Sequence, residues 1–286
     1  MLAVDPHVYI PSKGRAHLVY KMASYWVNDF FNVTYVVEPQ DAADYTRAIE
    51  RLQGRFKDDG LAIDVKILPK DNQGISYSRH HCIILAASYG LDSMILSDDD
   101  FKPGRNSGLD SVVEFAKNPK VLGITAKYGY HDLCLGPSIR GRKDIVLMPV
   151  GSQAVVGLNI RNVMDLGNYD KSLDYAEDCD LFIRAIQAGY PWLIALGASV
   201  TSVGVRYAPG GMAEYAGDRL AEKKAEWHIN IHDKWPEFTN EHTAKCAGKQ
   251  NCIRMKWRKV YDVLMPNWRE YSDLHGGSLK EYLDGH

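Results

Sequence analysis

Long hydrophobic runs are absent from this sequence. No apolar stretch approaches the roughly 20 residues that a membrane-spanning helix needs, and residues 1–6 do not combine a basic segment with an apolar one. The charge balance is also nearly even, since 34 Lys and Arg face 36 Asp and Glu, a net charge of −2. We therefore expect a cytoplasmic protein with no membrane partner, and any attraction to nucleic acid must come from a local basic surface.

Cysteine is scarce and scattered. The five cysteines, at positions 82, 134, 179, 246 and 252, form no close Cys-x-x-Cys pair. This pattern is typical of free thiols in a reducing compartment and argues against a structural zinc site. The 286 residues are enough for one large domain or for a domain with a sizeable appendage.

Short β-rich runs alternate with segments of helical periodicity along the first hundred residues. Strands are predicted at 7–11, 33–37, 63–68 and 94–97, and helices at 17–28, 41–52 and 76–89. Further on, the pattern predicts helices at 109–116 and from 177, and strands at 121–125, 145–150 and 192–196. This alternation indicates an α/β fold, with a mostly parallel sheet flanked by helices.

An acidic triplet ends the fourth predicted strand. Asp98, Asp99 and Asp100 directly follow an apolar run, and a solvated acidic turn is the simplest interpretation. However, open α/β sheets bind ligands at the carboxyl ends of their strands, and adjacent carboxylates are costly to gather there without a cation. If strand geometry persists, Asp98 and Asp100 point to one side and Asp99 to the other.

Other loops at the same predicted edge carry groups suited to an anionic nucleotide. Singly, each is typical of an exposed surface, but their recurrence at one edge favours a binding site. They are Lys13, Arg15, Glu38, Ser76 and Arg79.

A second acidic centre opens the helix predicted from residue 177. Glu177, Asp178 and Asp180 fall in its first turn, where acids also occur simply because they complement the helix dipole.

Taken together and in order, these motifs resemble the family-2-like glycosyltransferases of the GT-A fold. The resemblance covers roughly residues 7–200 and rests on residues 10–15, Gly74 with Ser78 and Arg79, the acidic triplet, and residues 177–181 through Arg184 to Gly189 and Tyr190. His80, where many relatives have Asn, and Cys179 depart from the family pattern. The first strand and its turn are also similar to phage-encoded, TET-associated glycosyltransferases, which glycosylate hydroxymethylated pyrimidines in DNA.

The resemblance implies a Rossmann-like, nucleotide-binding GT-A domain over residues 1–205 and a mainly helical extension with a lid over residues 206–286. It implies metal-dependent, inverting transfer from a nucleoside diphosphate sugar, a UDP-sugar, to the hydroxyl of a hydroxymethylated pyrimidine such as hydroxymethylcytosine. A phage-encoded enzyme of this kind would work in the cytoplasm of its bacterial host.

The same resemblance implies roles for individual residues. Asp100 would ligate Mn²⁺ or Mg²⁺, and Asp98 would contact the donor ribose or the metal through water. Asp178 would be the general base, with Glu177 beside it, and His228 or His232 would complete the metal site, unless both are ordinary surface histidines. The donor would contact Pro11, Ser12, Arg15, Glu38, Arg79, Asp98 and Asp99.

The C-terminal region contains a basic run that no acid interrupts. Basic charge interleaved with aromatic residues suits phosphate contact and base stacking, whereas a solvated amphipathic helix explains the same pattern. The charges are Lys245, Lys249, Arg254, Lys256, Arg258 and Lys259, with the aromatics Trp257, Tyr261 and Trp268. Arg140, Arg142 and Lys143 form a second basic group that could contact DNA.

Two other functions remain open from the sequence. A GT-A enzyme could instead use a saccharide or protein acceptor, with the basic run serving only solubility. A non-catalytic nucleic-acid-binding module is the alternative from another class, although the intact acids at both centres argue against it.

Overall fold

The computed structural model describes residues 6–29, 31–56, 61–105, 107–129, 142–147, 153–173, 176–203, 220–240, 255–272, 279 and 283. Strands and helices alternate in the first half. They are β1 (His7–Ser12), α1 (Ala16–Asn28), β2 (Asn32–Val37), α2 (Ala42–Phe56), β3 (Ile63–Ile67), α3 (Gly74–Ser88) and β4 (Ser93–Ser97).

Several of the later elements are short. In order they are β5 (Phe101–Pro103), α4 (Leu109–Ala116), β6 (Gly123–Lys127), β7 (Ile145–Leu147), β8 (Val155–Asn159), α5 (Ile160–Asp165), α6 (Glu177–Gln187), β9 (Trp192–Ser202), α7 (Leu220–Lys234) and α8 (Trp257–Leu264). Two 3₁₀ turns, Pro39–Asp41 and Pro236–Phe238, follow β2 and α7.

Within the described residues, the strands form one nine-stranded sheet in the order β3-β2-β1-β4-β8-β6-β9-β5, with β7 also paired to β9. The first four strands in this order are parallel. The antiparallel strand β8 lies between β4 and β6, and β5 and β7 run antiparallel to β9. The α/β, Rossmann-like class is confirmed, with a parallel first half and a mixed second half.

The central strands are buried on both faces. Every residue of β2, β4 and β8 is buried, as expected for strands with helices on both sides. The helices contribute large side chains to the same core, including Trp26 of α1 and Phe182 of α6, both fully buried. Rigid packing of this kind fixes where the strand ends lie.

Strand register brings the carboxyl ends of three strands, β1, β2 and β4, together at one edge of the sheet. β1 pairs in parallel with both β2 and β4, with Ser12 opposite Val37 and Tyr9 opposite Leu96. The segments that follow these strands, and the start of α3 after β3, therefore share the carboxyl edge of the sheet.

The C-terminal helices pack against the sheet domain. Phe182 of α6 contacts Trp257 and Tyr261 of α8, with ring centroids 5.0 and 5.7 Å apart. Lys120 Nζ donates a hydrogen bond to the carbonyl of Leu283. No helix in the described ranges is long and apolar enough to cross a membrane.

Candidate active site

The acidic triplet lies in a turn directly after β4, which ends at Ser97. Asp98 accepts a hydrogen bond from Arg79 Nη2 (2.6 Å), whereas Asp99 accepts bonds from Arg15 Nη1 and Ser12 Oγ (both 2.5 Å). The two neighbouring carboxylates thus have different partners. The predicted alternation of Asp98 and Asp100 against Asp99 required strand geometry to persist, and it does not, because β4 ends at Ser97 and a turn follows.

Arg79 of α3 joins the two acidic centres. Its Nη2 contacts Asp98 Oδ1 and its Nη1 lies 2.6 Å from Glu177 Oε1. The side chains of Arg79 and Glu177 are only 7% and 5% exposed, so this ion pair is shielded from water. The start of α6 and the turn after β4 are consequently held at one place, at the carboxyl edge of the sheet.

Burial makes this cluster electrostatically costly. It raises the pKa of Glu177 to about 7 and that of Asp98 to about 6, although Arg79 opposes both shifts. Neighbouring Asp178 adds to the first shift and Asp100 to the second. One guanidinium therefore does not compensate the carboxylates gathered here, and a bound cation would offset the remaining repulsion.

The hard oxygen donors of Asp98 and Asp100 fit a divalent ion such as Mg²⁺ or Mn²⁺. The assignment of Asp98 and Asp100 as ligands stays a prediction, and so does the third ligand. His232 Nδ1 lies 2.5 Å from Thr239 Oγ1, and His228 belongs to α7 but its side chain is outside the described residues. In the part of the chain that the structure describes, no three His, Cys, Asp or Glu side chains form a metal-binding group.

Asp178 is half-buried in the first turn of α6. Its Oδ1 accepts a hydrogen bond from the backbone N–H of Cys179 (2.8 Å). Its carbonyl accepts a bond from Gln153 Nε2 (2.8 Å), and Gln153 Oε1 in turn accepts one from the hydroxyl of Tyr169 (2.7 Å). These contacts of Gln153 and Tyr169 were not predicted from the sequence, because neither residue belongs to a catalytic motif.

The residue before α6 is strained. Ala176 has φ of 60°, a left-handed conformation that is uncommon for a residue with a Cβ atom. Such strain persists only where surrounding contacts enforce it, and it is frequent at functional sites.

A third residue that the sequence did not point to, Tyr45 of α2, organises the turn after β1. Its hydroxyl lies 2.5 Å from Ser12 Oγ and accepts a hydrogen bond from the backbone N–H of Arg15 (3.0 Å). Burial raises the pKa of Asp99, and Arg15 and Ser12 oppose that rise. Ser12 and Arg15 therefore hold Asp99 in place, while their contact with a donor stays a prediction.

Glu38, at the end of β2, connects three loops. Its Oε1 accepts a bond from the backbone of Gln73 (2.8 Å), and its Oε2 contacts Lys13 Nζ (2.7 Å) and Gln40 Nε2 (2.6 Å). Burial favours a higher pKa for this carboxyl, but the three partners together lower it below its ordinary value. The predicted donor contacts of Glu38 and of buried Pro11 remain predictions.

Comparison with known proteins gives a match in structure only. No protein-family model matches this chain, and no curated protein matches its sequence. A mannosyltransferase from Pyrobaculum calidifontis, PcManGT, solved with GDP-Man and Mn²⁺, superposes with a TM-score of 0.56 at 13% identity, over 98% of this chain and 75% of the other. GalNAc-T7, solved with UDP, GalNAc and Mn²⁺, superposes with a TM-score of 0.50 at 12% identity, over 94% of this chain and 58% of the other.

The chain has the GT-A fold. At these identities the likeness establishes the architecture alone. Within the GT-A fold, the turn after β4 and the start of α6 are the two acidic segments that Arg79 joins.

The two basic groups predicted from the sequence lie only partly within the described residues. Arg142 pairs with Asp144 (Nε to Oδ1, 3.0 Å), and Lys143 is exposed. Arg140, Lys245, Lys249 and Arg254 lie outside the described residues. On α8 and just before it, three cations are exposed: Lys256, Arg258 and Lys259.

Two of the three aromatics of the basic run are buried, and the third, Trp257, is half-buried. Tyr261 and Trp268 are 0% and 1% exposed, and Trp257 packs on Phe182. The base-stacking interpretation of Tyr261 and Trp268 is therefore wrong, because Tyr261 is buried against Phe182 of α6 and Trp268 against Tyr261. α8 is an amphipathic helix whose exposed charges are Arg258, Lys259 and Asp262.

Proposed function

We propose that this protein is a metal-dependent, inverting glycosyltransferase that moves a sugar from a UDP-sugar to the hydroxyl of a hydroxymethylated pyrimidine in DNA. The observation that carries the proposal is the convergence of the two acidic centres on Arg79, at the carboxyl edge of a GT-A sheet. One centre suits a cation and a diphosphate, and the other offers a carboxylate to a hydroxyl.

The donor side is formed by the segments after β1, β2 and β4. Asp98 and Asp100 would hold Mn²⁺ or Mg²⁺, which when bound supplies positive charge against the leaving diphosphate. GDP-Man with Mn²⁺ in PcManGT and UDP with Mn²⁺ in GalNAc-T7 support a nucleotide-sugar donor and this choice of metal. Pro11, Ser12, Arg15 and Glu38 would border the nucleoside.

The acceptor side is the first turn of α6. Glu177 is buried with its carboxylate on Arg79, whereas Asp178 is half-buried and can meet a substrate. Asp178 would accept the proton of the acceptor hydroxyl while that oxygen attacks the anomeric carbon. The bond from that carbon to the diphosphate oxygen breaks and its electron pair leaves with the diphosphate. The configuration at the anomeric carbon is inverted.

A DNA acceptor is supported by the exposed cations of α8, which packs on α6, the helix whose first turn contains Asp178. Exposed cations of this kind suit contact with a phosphate backbone. The hydroxymethyl group lies in the major groove, so the enzyme would reach it there directly or flip the nucleotide out.

The experiment that tests this function has two stages. The protein is first incubated with Mn²⁺ and a panel of sugar nucleotides, and release of nucleoside diphosphate is measured with and without a chelator. Hydroxymethylcytosine DNA is then added, with unmodified DNA as the control. The DNA is digested and the masses of the nucleosides are measured by mass spectrometry. We expect a sugar adduct on the modified base alone. An unchanged nucleoside mass would refute the DNA acceptor, and donor that stays intact under all conditions would refute the transferase.

A further inference from the structure

Asp180 is a fully buried acid that the proposed reaction does not use. It lies one turn into α6, and three side chains donate to its carboxylate. Arg184 Nε contacts Oδ2 (2.8 Å), whereas Lys234 Nζ and Trp235 Nε1 both contact Oδ1 (2.8 and 2.9 Å). Two of these three donors come from the end of α7 in the C-terminal extension, so the extension satisfies a charge within the catalytic helix.

Lys234 also connects α6 to the segment before it. Its Nζ lies 2.6 Å from Asp170 Oδ2 as well as near Asp180. The same preceding segment accepts hydrogen bonds from Arg184, at the carbonyls of Leu166 and Asn168 (both 2.7 Å). The end of α7, the segment 166–170 and the first turns of α6 are therefore joined in one polar network.

An apolar cluster fixes the same junction independently. Ile231 of α7 packs against Leu173 and Ala176, and Trp235 and Cys179 lie at the edge of this cluster. Ala176 is the left-handed residue immediately before Glu177. Because a left-handed alanine needs surrounding contacts to enforce it, the end of α7 is placed where it can hold this turn.

We infer that Lys234 and Trp235 are positioning residues for Asp178, acting through Asp180 and the turn at Ala176. The inference rests on the proposed function, because Asp178 is taken there to be the base. Lys234 and Trp235 hold the first turn of α6 in the orientation that faces the acceptor. The C-terminal extension thus contributes to the geometry of the catalytic site. Without it, Arg184 would be the one side-chain donor to Asp180 among the described residues.

The test uses the full chain with three substitutions and a matched control. Lys234→Met removes the ammonium and keeps the apolar stem, Trp235→Phe removes the indole N–H and keeps a smaller aromatic ring, and Lys234→Arg restores a cation. Lys66→Met is the control: the Lys66–Asp64 pair on β3 has a similar length (2.7 Å), and the two lysines are 33% and 32% exposed. Two readouts are taken: hydrogen exchange of amides in the first two turns of α6, and kcat with the donor dissociation constant.

In Lys234→Met we expect faster exchange in α6 and a kcat lower by on the order of 10²-fold, since small misplacements of a catalytic group cost that much. Donor affinity should stay unchanged, because the donor-side residues lie on other loops. Trp235→Phe should show a smaller fall in kcat, and Lys234→Arg should recover most of the loss. If Lys234→Met does not fold, Trp235→Phe carries the same comparison.

Exchange and kcat equal to those of Lys66→Met would overturn the inference, and so would a parallel loss of donor affinity. A parent protein that transfers no sugar would count against the proposed function instead. In that case the exchange measurement still decides whether the end of α7 holds the start of α6.

Discussion

Asp98 and Glu177 are held by the two terminal nitrogens of one guanidinium, that of Arg79. The first residue belongs to the turn after β4 and the second begins α6, so a single buried side chain sets the distance between the two acidic centres. A buried guanidinium can do this because it stays charged, is planar and is more weakly hydrated than an ammonium.

Removal of Arg79 should strongly destabilise the protein. Arg79→Met leaves the buried Glu177 carboxylate without its cation, and breaking a buried pair in this way costs about 3–5 kcal/mol in the free energy of unfolding. Urea unfolding measures the loss. Arg47→Met is the control, since the Arg47–Asp44 pair is exposed and should be worth less than about 1 kcal/mol. Equal losses in the two variants would show that the bridge is unimportant for stability.

The stability of the protein should depend on pH through Glu177. Burial raises its pKa from 4.5 to about 7 in the folded state, so between these values the folded chain binds a proton that the unfolded chain has released. The stabilisation is complete below the unfolded pKa and is lost as the pH rises through about 7. We expect the free energy of unfolding to fall over this range by less in Glu177→Gln than in the parent.

The control for this pH dependence is Glu114→Gln, because Glu114 is an exposed acid paired with Lys117. It should keep the slope of the parent. A slope that survives unchanged in Glu177→Gln would assign the effect to another group.

The sequence alone predicts which segments meet but not which atoms touch. Asp98 and the loops after β1 and β2 could be placed together because parallel strands end at a common edge. The contact of Gln153 with the Asp178 carbonyl could not, since it depends on the direction of one side chain, which neither a motif nor strand periodicity specifies at Gln153. The same holds for Tyr45, whose helical position predicts burial but not a hydroxyl aimed at Ser12.

In the C-terminal extension, the sequence could not predict which face of a helix is buried. Helical spacing in 256–264 was compatible with an exposed aromatic face or a buried one, and only the position of Phe182 decides between them. Likewise, Lys234 and Asp180 are far apart in the chain, and their pairing follows from how α7 packs on the turn at Ala176. Such tertiary contacts leave no local signal in the sequence.

Asp100 should be required for metal-dependent donor binding. Asp100→Ala removes a hard oxygen ligand, and we expect the affinity for UDP in the presence of Mn²⁺ to fall by on the order of 10²-fold. Isothermal titration calorimetry with and without Mn²⁺ measures the dissociation constant of UDP. Asp165→Ala, at an exposed acid of α5, should bind as the parent does. Undiminished Mn²⁺-dependent binding by Asp100→Ala would remove Asp100 from the metal site.

Asp178 should be needed for transfer but not for donor binding. Asp178→Asn keeps the shape of the side chain and loses the proton acceptor, so kcat should fall about 10²- to 10⁴-fold while the dissociation constant for UDP with Mn²⁺ stays the same. Single-turnover transfer and titration separate the two quantities. Equal rates for Asp178→Asn and the parent would mean that another group is the base.

The cations and the aromatics of α8 should have separable effects. Replacing Arg258 and Lys259 together by Gln should weaken DNA binding and leave stability unchanged. A plot of log affinity against log salt concentration should become less steep, with its slope reduced by about one to two units. Tyr261→Ala should instead cost about 3–5 kcal/mol of stability, because the ring is buried. Lys21→Gln, at an exposed lysine of α1, should leave the salt dependence as it is. If Arg258 and Lys259 can be replaced without changing that dependence, the outer face of α8 does not bind the phosphate backbone and the DNA must lie elsewhere.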